Sequence, residues 1–138
     1  MINGQKTFIT IGYTCDILIL ACKTNPGTSL EGISLIIVDA DTPGFSRGKP
    51  FHKLGMKDSD TCELFFEDMK VPKSQLLGEE GKGFVYMMTE LPRERMTIAT
   101  GAIGAVEGAL MDTIAYCQER TAFKQPIAAF QNTQFKLA

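Results

Sequence analysis

The chain has 138 residues, 44% of them hydrophobic, and its fourteen basic and sixteen acidic side chains leave a net charge of -2. That content supports one ordinary domain or the adjoining parts of two and excludes a disordered tail, and near-neutrality supplies no field to draw nucleic acid or anionic membrane. Four cysteines without a CxxC pair argue against zinc ligation and against a disulfide framework, so no metal is expected and a reducing compartment fits.

The opening residues carry Asn3, Gln5 and Lys6 before any apolar run, so no signal peptide is expected. Residues 6–12 (KTFITIG) mix β-branched and aromatic side chains and predict a strand. Residues 16–23 (DILILACK) and 32–39 (GISLIIVD) are short continuous apolar runs, the pattern of strands covered on both faces. Asn25-Pro26-Gly27 between them is a turn signal that predicts a hairpin. Thr42-Pro43-Gly44 turns the chain again, and residues 61–71 (TCELFFEDMKV) place Cys62, Leu64 and Phe66 on one face before Pro72 ends the strand. About four strands without an intervening helix predict an antiparallel sheet or barrel.

Residues 78–83 (GEEGKG) mark a shift in composition, beyond which strand patterns give way to helical ones. The expected organisation is therefore α+β, with an antiparallel β-domain over 1–77 and the start of a helical bundle over 78–138. After a Leu91-Pro92 break and the Arg93-Glu94-Arg95 cluster, Ala99, Ile103, Val106, Leu110, Ile114 and Cys117 recur on one stripe of an amphipathic helix. That stripe needs cover. Gly101, Gly104 and Gly108 lie beside it, each costing a helix about 1 kcal/mol relative to Ala, and close approach of a neighbouring helix is the usual compensation. Glu107 and Asp112 would be costly in lipid, which argues against a membrane span. Residues 121–126 (TAFKQP) predict a connector whose proline opens the next helix. Residues 128–138 resume helical spacing with Phe130, Phe135 and Leu137 and stop in mid-pattern. The first strand likewise lacks an upstream partner, so the chain is expected to be a piece of a longer protein.

Five blocks in register, ADTPGFSRG, ELFFEDMKVP, LLGEEGKGF, LPRERMTIATGAIG and ERTAFKQPIAAFQNTQFKLA, closely resemble successive segments of the acyl-CoA dehydrogenase family. LPRER is most similar to the branch with the long-chain and isovaleryl-CoA enzymes. The resemblance implies a flavoprotein oxidoreductase of fatty acid β-oxidation that holds FAD and takes acyl-CoA to trans-2-enoyl-CoA. It further implies an electron-transfer flavoprotein as acceptor and a homotetrameric parent, located in the cytoplasm of a bacterium or the mitochondrial matrix of a eukaryote. This chain would be most of the middle β-domain plus the first helices of the C-terminal bundle.

The same resemblance implies roles for particular residues. Phe8, Ile9 and Thr10 match an aromatic-Ile-Thr tripeptide that lies against the flavin ring, where hydrogen bonds tune its reactivity. Ile11 departs from the usual Asn. Read by chemistry alone, Glu94 is a solvated ion-pair member or a charge favoured at a helix start. The resemblance makes it the catalytic base, with a glutamate beyond Ala138 as rival, and makes Arg95 a shaper of the acyl-CoA pocket. Arg120, Thr121, Ala122, Phe123, Phe130 and Gln131 resemble a second cofactor-binding set that reaches the pyrophosphate and adenine side on a neighbouring subunit. Glu94 and Arg120 lie 26 residues apart, about 39 Å along a straight helix, which favours two subunits sharing the site. Lys124 stands where the family usually has Gly; if that turn needs a positive φ, Lys124 strains it by about 1 kcal/mol. Two alternatives stay open: a non-catalytic flavin- or CoA-binding or oligomerisation module, and a structural remnant whose Ile11 and Lys124 mark lost cofactor affinity. His52 reads as a surface residue, and Met87, Met88, Met96 and Cys117 as core or pocket lining.

Overall fold

The structure, a computed structural model, describes residues 1–27 and 29–138. The chain divides into two compact units, 1–88 and 89–138, and each is described by itself.

The described residues of the first unit form six strands, β1 (Ile2–Thr10), β2 (Ile17–Lys23), β3 (Ile33–Asp39), β4 (Phe45–Arg47), β5 (Thr61–Met69) and β6 (Leu76–Leu77). They form two three-stranded antiparallel sheets, ordered β1-β5-β4 and β2-β3-β6. The hairpin expected around Asn25-Pro26-Gly27 is present: β2 pairs β3 from Ile17↔Asp39 to Lys23↔Ile33, and the Gly27 N–H donates to Asn25 Oδ1. The alternating face of β5 is buried as expected, with Cys62, Leu64, Phe66 and Met69 at 3% exposure or less. These side chains meet Leu20, Ile36 and Val38 of the other sheet in a single core. Among the described residues no strand of one sheet hydrogen-bonds a strand of the other, so this apolar layer is what joins them.

Three expectations are corrected here. The first strand runs from Ile2 to Thr10 and not over 6–12, because Ile11 turns left-handed and the chain closes a tight turn over 11–15. β3 is largely buried, but β2 is not covered on both faces. Ile17 and Ile19 are 60% and 61% exposed on one face of β2, which lies at the edge of its sheet. The Leu-Pro break is no break: α1 runs without interruption over Gly83–Glu119 with Pro92 inside it. Proline in a helix interior removes one main-chain hydrogen bond and crowds the carbonyl four residues earlier, and thirty-seven residues of otherwise continuous helix absorb that local loss.

The entry into α1 is fixed by close packing on β3. A Cβ on Gly83 would lie 2.9 Å from the Ile33 carbonyl oxygen, so only glycine lets the helix start there. The buried Ser34 hydroxyl accepts from the Gly81 N–H at 2.8 Å and pairs with the Thr24 hydroxyl at 2.8 Å, which satisfies it.

In the second unit α1 continues to Glu119, followed by β7 (Thr121–Ala122), β8 (Gln125–Pro126) and α2 (Gln131–Leu137). The expected connector is thus a small antiparallel hairpin. Pro126 precedes a 3-10 turn over Ile127–Ala129, and the last helix starts later than the spacing suggested. The apolar stripe of α1 lacks cover among the described residues: Ile103 and Val106 are 69% and 65% exposed, and of the stripe only Cys117 is buried. Met88 and Met96 are exposed with it. One window of α1 has a mean hydropathy of 1.3, so by length and composition alone the helix could cross a membrane. Glu107 and Asp112 would have to enter the lipid with it, and that cost weighs against such a span.

Candidate functional site

In the first unit the residues singled out by the sequence sit at the C-terminal end of β1. The pairing of β1 with β5 shifts register between Lys6 and Ile9, and Phe8 inside that bulge has a φ of 58°. The bulge turns the Phe8 ring outward, 74% exposed, where it rests on Phe51 at a centroid separation of 5.4 Å. Ile9 packs against the core, so it can meet a ligand through its backbone. Thr10 is exposed, and its hydroxyl has no hydrogen-bond partner among the described residues.

The chain then turns sharply. Ile11 has a φ of 61°, an outlier for a β-branched residue. Its N–H donates to the Asp60 carbonyl at 3.0 Å and its own carbonyl accepts from the Cys15 N–H at 3.0 Å. The Asp60 carboxylate accepts from the Tyr13 N–H at 2.6 Å and from the Thr14 hydroxyl at 3.0 Å. Desolvation pushes the Asp60 carboxyl up, but these bonds, with the N–H groups of Thr14 and of Asp60 itself, outweigh it and hold the group below its ordinary value. Burial pushes the Cys62 thiol beneath this turn up, as it does that of Cys22. Both therefore stay protonated at neutral pH.

In the second unit the predicted set divides. Arg120, Thr121, Ala122, Phe123 and Phe130 come together around the β7–β8 hairpin. The Arg120 N–H donates to the Tyr116 carbonyl and its carbonyl accepts from the Ile127 N–H, both at 2.8 Å, so the residue is tied to the helix end and to the hairpin at once. Phe123 and Lys124 form the two-residue loop with φ of 52° and 66°. Two consecutive positive φ values mark a type I′ turn, which favours Asn-Gly. The Phe123 ring, 91% exposed, meets Phe130 edge-on at 6.2 Å. Gln131 follows as the exposed first residue of α2.

Glu94 and Arg95 lie elsewhere on α1, both exposed. Glu94 is eleven residues beyond Gly83, so the helix start expected for it is not there. Arg93 pairs with Glu90 at 3.3 Å, which leaves Glu94 without an ion-pair partner among the described residues. Because α1 is unbroken from Glu94 to Glu119, the separation of about 39 Å between Glu94 and Arg120 stands. Gly101 and Gly104 face open space in this chain, and His52 is exposed. No cluster of three metal-ligating side chains occurs among the described residues.

The positive φ at Lys124 gives a direct test of the turn. Lys124→Gly should stabilise the chain by about 0.5–1 kcal/mol, because a left-handed cost of about 1–2 kcal/mol exceeds the roughly 0.5–1 kcal/mol of added backbone freedom. Thermal denaturation followed by circular dichroism reads the change, and a lower melting temperature would contradict the turn geometry.

The first unit thus presents an exposed aromatic pair beside a hydroxyl with no partner among the described residues, and the second, taken by itself, presents an arginine tied through its main chain beside two aromatic rings in contact. Residues 1–69 match the model of the acyl-CoA dehydrogenase middle domain and residues 81–138 that of the acyl-CoA dehydrogenase C-terminal domain. The mitochondrial long-chain specific acyl-CoA dehydrogenase of Rattus norvegicus is 48% identical over 140 residues, covering 100% of this chain and 33% of that protein. A crystal structure of acyl-CoA dehydrogenase from Geobacillus kaustophilus superposes with a TM-score of 0.92 at 50% identity, covering 98% of this chain and 36% of the other. A more distant neighbour, PigA solved with FAD and proline, gives 0.87 at 28% identity over 98% of this chain and 35% of its own. The chain spans about a third of the length of the relatives it matches.

Proposed function

The chain belongs to the acyl-CoA dehydrogenase family, and from that premise we propose that it is a piece of a flavin-dependent enzyme that oxidises acyl-CoA to trans-2-enoyl-CoA. The observation that carries this reading is the coincidence of left-handed backbone with presented side chains. Among the described residues, four of the six non-glycine residues of positive φ, namely Phe8, Ile11, Phe123 and Lys124, fall in or beside the two predicted cofactor segments. Strain of this kind persists where a site demands it.

FAD, when bound, supplies the acceptor for the β-hydrogen of the acyl group, taken as hydride. Phe8, the Thr10 hydroxyl and the Ile9 backbone are the groups that would hold its ring, the hydroxyl as a hydrogen-bonding group. Arg120 would hold the phosphates through its planar guanidinium, flanked by Thr121, Ala122, Phe123, Phe130 and Gln131. The long separation along α1 supports a reading in which this second set serves a neighbouring copy. Glu94 takes the α-proton, a task for which its carboxylate must be held over the carbon beside the thioester carbonyl and shielded from water by the rest of the parent. Arg95 offsets its charge. The domain boundary lies near Leu77, and the parent works in a bacterial cytoplasm or a mitochondrial matrix with an electron-transfer flavoprotein as acceptor.

The uncovered stripe on α1 supports assembly, with a tetramer as the parent's form. Sedimentation of this chain as a stable monomer that binds no hydrophobic dye would contradict assembly through α1. The flavin content of the complete parent tests the whole reading. A yellow protein that releases FAD on denaturation supports it, and a colourless one that gains no colour when incubated with FAD overturns it.

A further inference from the structure

We propose that Asp60 is the residue that positions the cofactor-facing end of β1, and that it does so by capping the left-handed turn over 11–15. The proposal rests on the reading that Phe8 and Thr10 face FAD. Asp60 receives that turn at three points, its carbonyl from the Ile11 N–H and its carboxylate from the Tyr13 N–H and the Thr14 hydroxyl. The Tyr13 and Thr14 N–H groups are the free donors at the start of a single α-type turn closed by Cys15 N–H to the Ile11 carbonyl. A carboxylate placed there caps the turn as it would cap a helix. Nothing local favours Ile11 at a φ of 61°; the surrounding bonds impose it.

Asp60 is itself anchored. Lys53 Nζ donates to the carbonyl of Ser59 and to the Thr61 hydroxyl on either side of it. The Phe51 N–H donates to the Thr61 carbonyl at 2.8 Å, and its ring backs Phe8. The Arg47 guanidinium donates to the Cys15 carbonyl at the far end of the turn. The segment from Arg47 to Thr61 thus grips the turn at both ends and supports the Phe8 ring. Phe8 and Thr10 are held between the β1–β5 ladder on one side and the Asp60 cap on the other. Losing the cap frees the direction in which Thr10 presents its hydroxyl.

The experiment compares wild type with Asp60→Ala and Asp60→Asn in the complete parent, first without and then with FAD. Without cofactor, amide hydrogen exchange at Tyr13 and Thr14 should quicken by about tenfold or more in Asp60→Ala, the factor that one bond to a charged acceptor represents, while β5 and α1 are unchanged. With FAD bound, the visible band of the flavin should shift. Its reduction by acyl-CoA, normalised to occupancy, should slow by about tenfold, with Asp60→Asn between the two because it keeps one acceptor. A lowered melting temperature with the band and the normalised rate unmoved makes Asp60 merely structural and overturns the proposal. Should Asp60→Ala fail to fold, Thr14→Val removes one donor at constant shape and must loosen the same amides and shift the same band; no change in either overturns the proposal. A colourless wild type sinks the cofactor reading and this proposal with it, whereas a yellow wild type matched by Asp60→Ala sinks this proposal alone.

Discussion

Glu94→Gln in the complete parent should leave FAD and acyl-CoA bound while reduction of the flavin by substrate falls by about 10⁴-fold or more. General-base contributions are typically of order 10²- to 10⁴-fold, and removal of the only base belongs at or beyond the upper end. Glutamine keeps the size and polar contacts of the side chain and removes the basic lone pair. Glu94 is exposed in this chain, so the proposed role needs the rest of the parent to shield it. The residue lies within a continuous helix, so it caps nothing, and its neighbour Arg93 is engaged with Glu90. Stopped-flow reduction normalised to flavin occupancy separates the roles: a structural glutamate predicts lost flavin with an intact rate per bound flavin. A loss smaller than about tenfold would move the base to a glutamate downstream of Ala138.

Leu64→Ala should destabilise this chain by about 2–5 kcal/mol, a large part of the roughly 5–15 kcal/mol that a domain possesses. Leu64 is 1% exposed on the central strand β5, paired with Lys6 of β1 on one side and Arg47 of β4 on the other. Its side chain lies in the layer that joins the two sheets, where no hydrogen bond substitutes for packing. Leu64→Met, which nearly conserves volume, should cost less than about 1.5 kcal/mol. Denaturant unfolding followed by circular dichroism checks both, and a loss below about 1 kcal/mol for the alanine variant would contradict a shared core. Because β1 carries Phe8 and Thr10 on its end, the same variant should also lose FAD from the parent.

What could be read from the sequence followed periodicity. Residues that alternate over a long strand, such as Cys62, Leu64 and Phe66, announced both the strand and its buried face, and the β2–β3 hairpin was legible from two apolar runs and a turn. β4, β6 and the β7–β8 hairpin were not, because two or three residues carry no measurable period. A continuous apolar run such as β2 cannot say which of its faces lacks a cover, and Ile17 and Ile19 turn out exposed. Pro92 was read by a local rule as a helix break, whereas a long helix tolerates one lost bond.

At the site, the departures at Ile11 and Lys124 were visible only through resemblance to the family, yet both fall on left-handed backbone, as the usual Asn and Gly would suit. The Asp60 cap could not be read, since its acceptors and donors are 46 and 47 residues apart in the chain. The signal that could have pointed to it is the pairing of β1 with β5, which brings Thr10 opposite Thr61.

The most direct measurement is anaerobic addition of acyl-CoA to the purified complete parent protein while its visible spectrum is followed. The proposed function predicts that a yellow protein bleaches on mixing and that the enoyl-CoA product forms in step with the lost colour. A parent that holds FAD but keeps its full colour with acyl-CoA of every chain length and branching tried would contradict it, leaving a flavin-binding module without the dehydrogenase reaction.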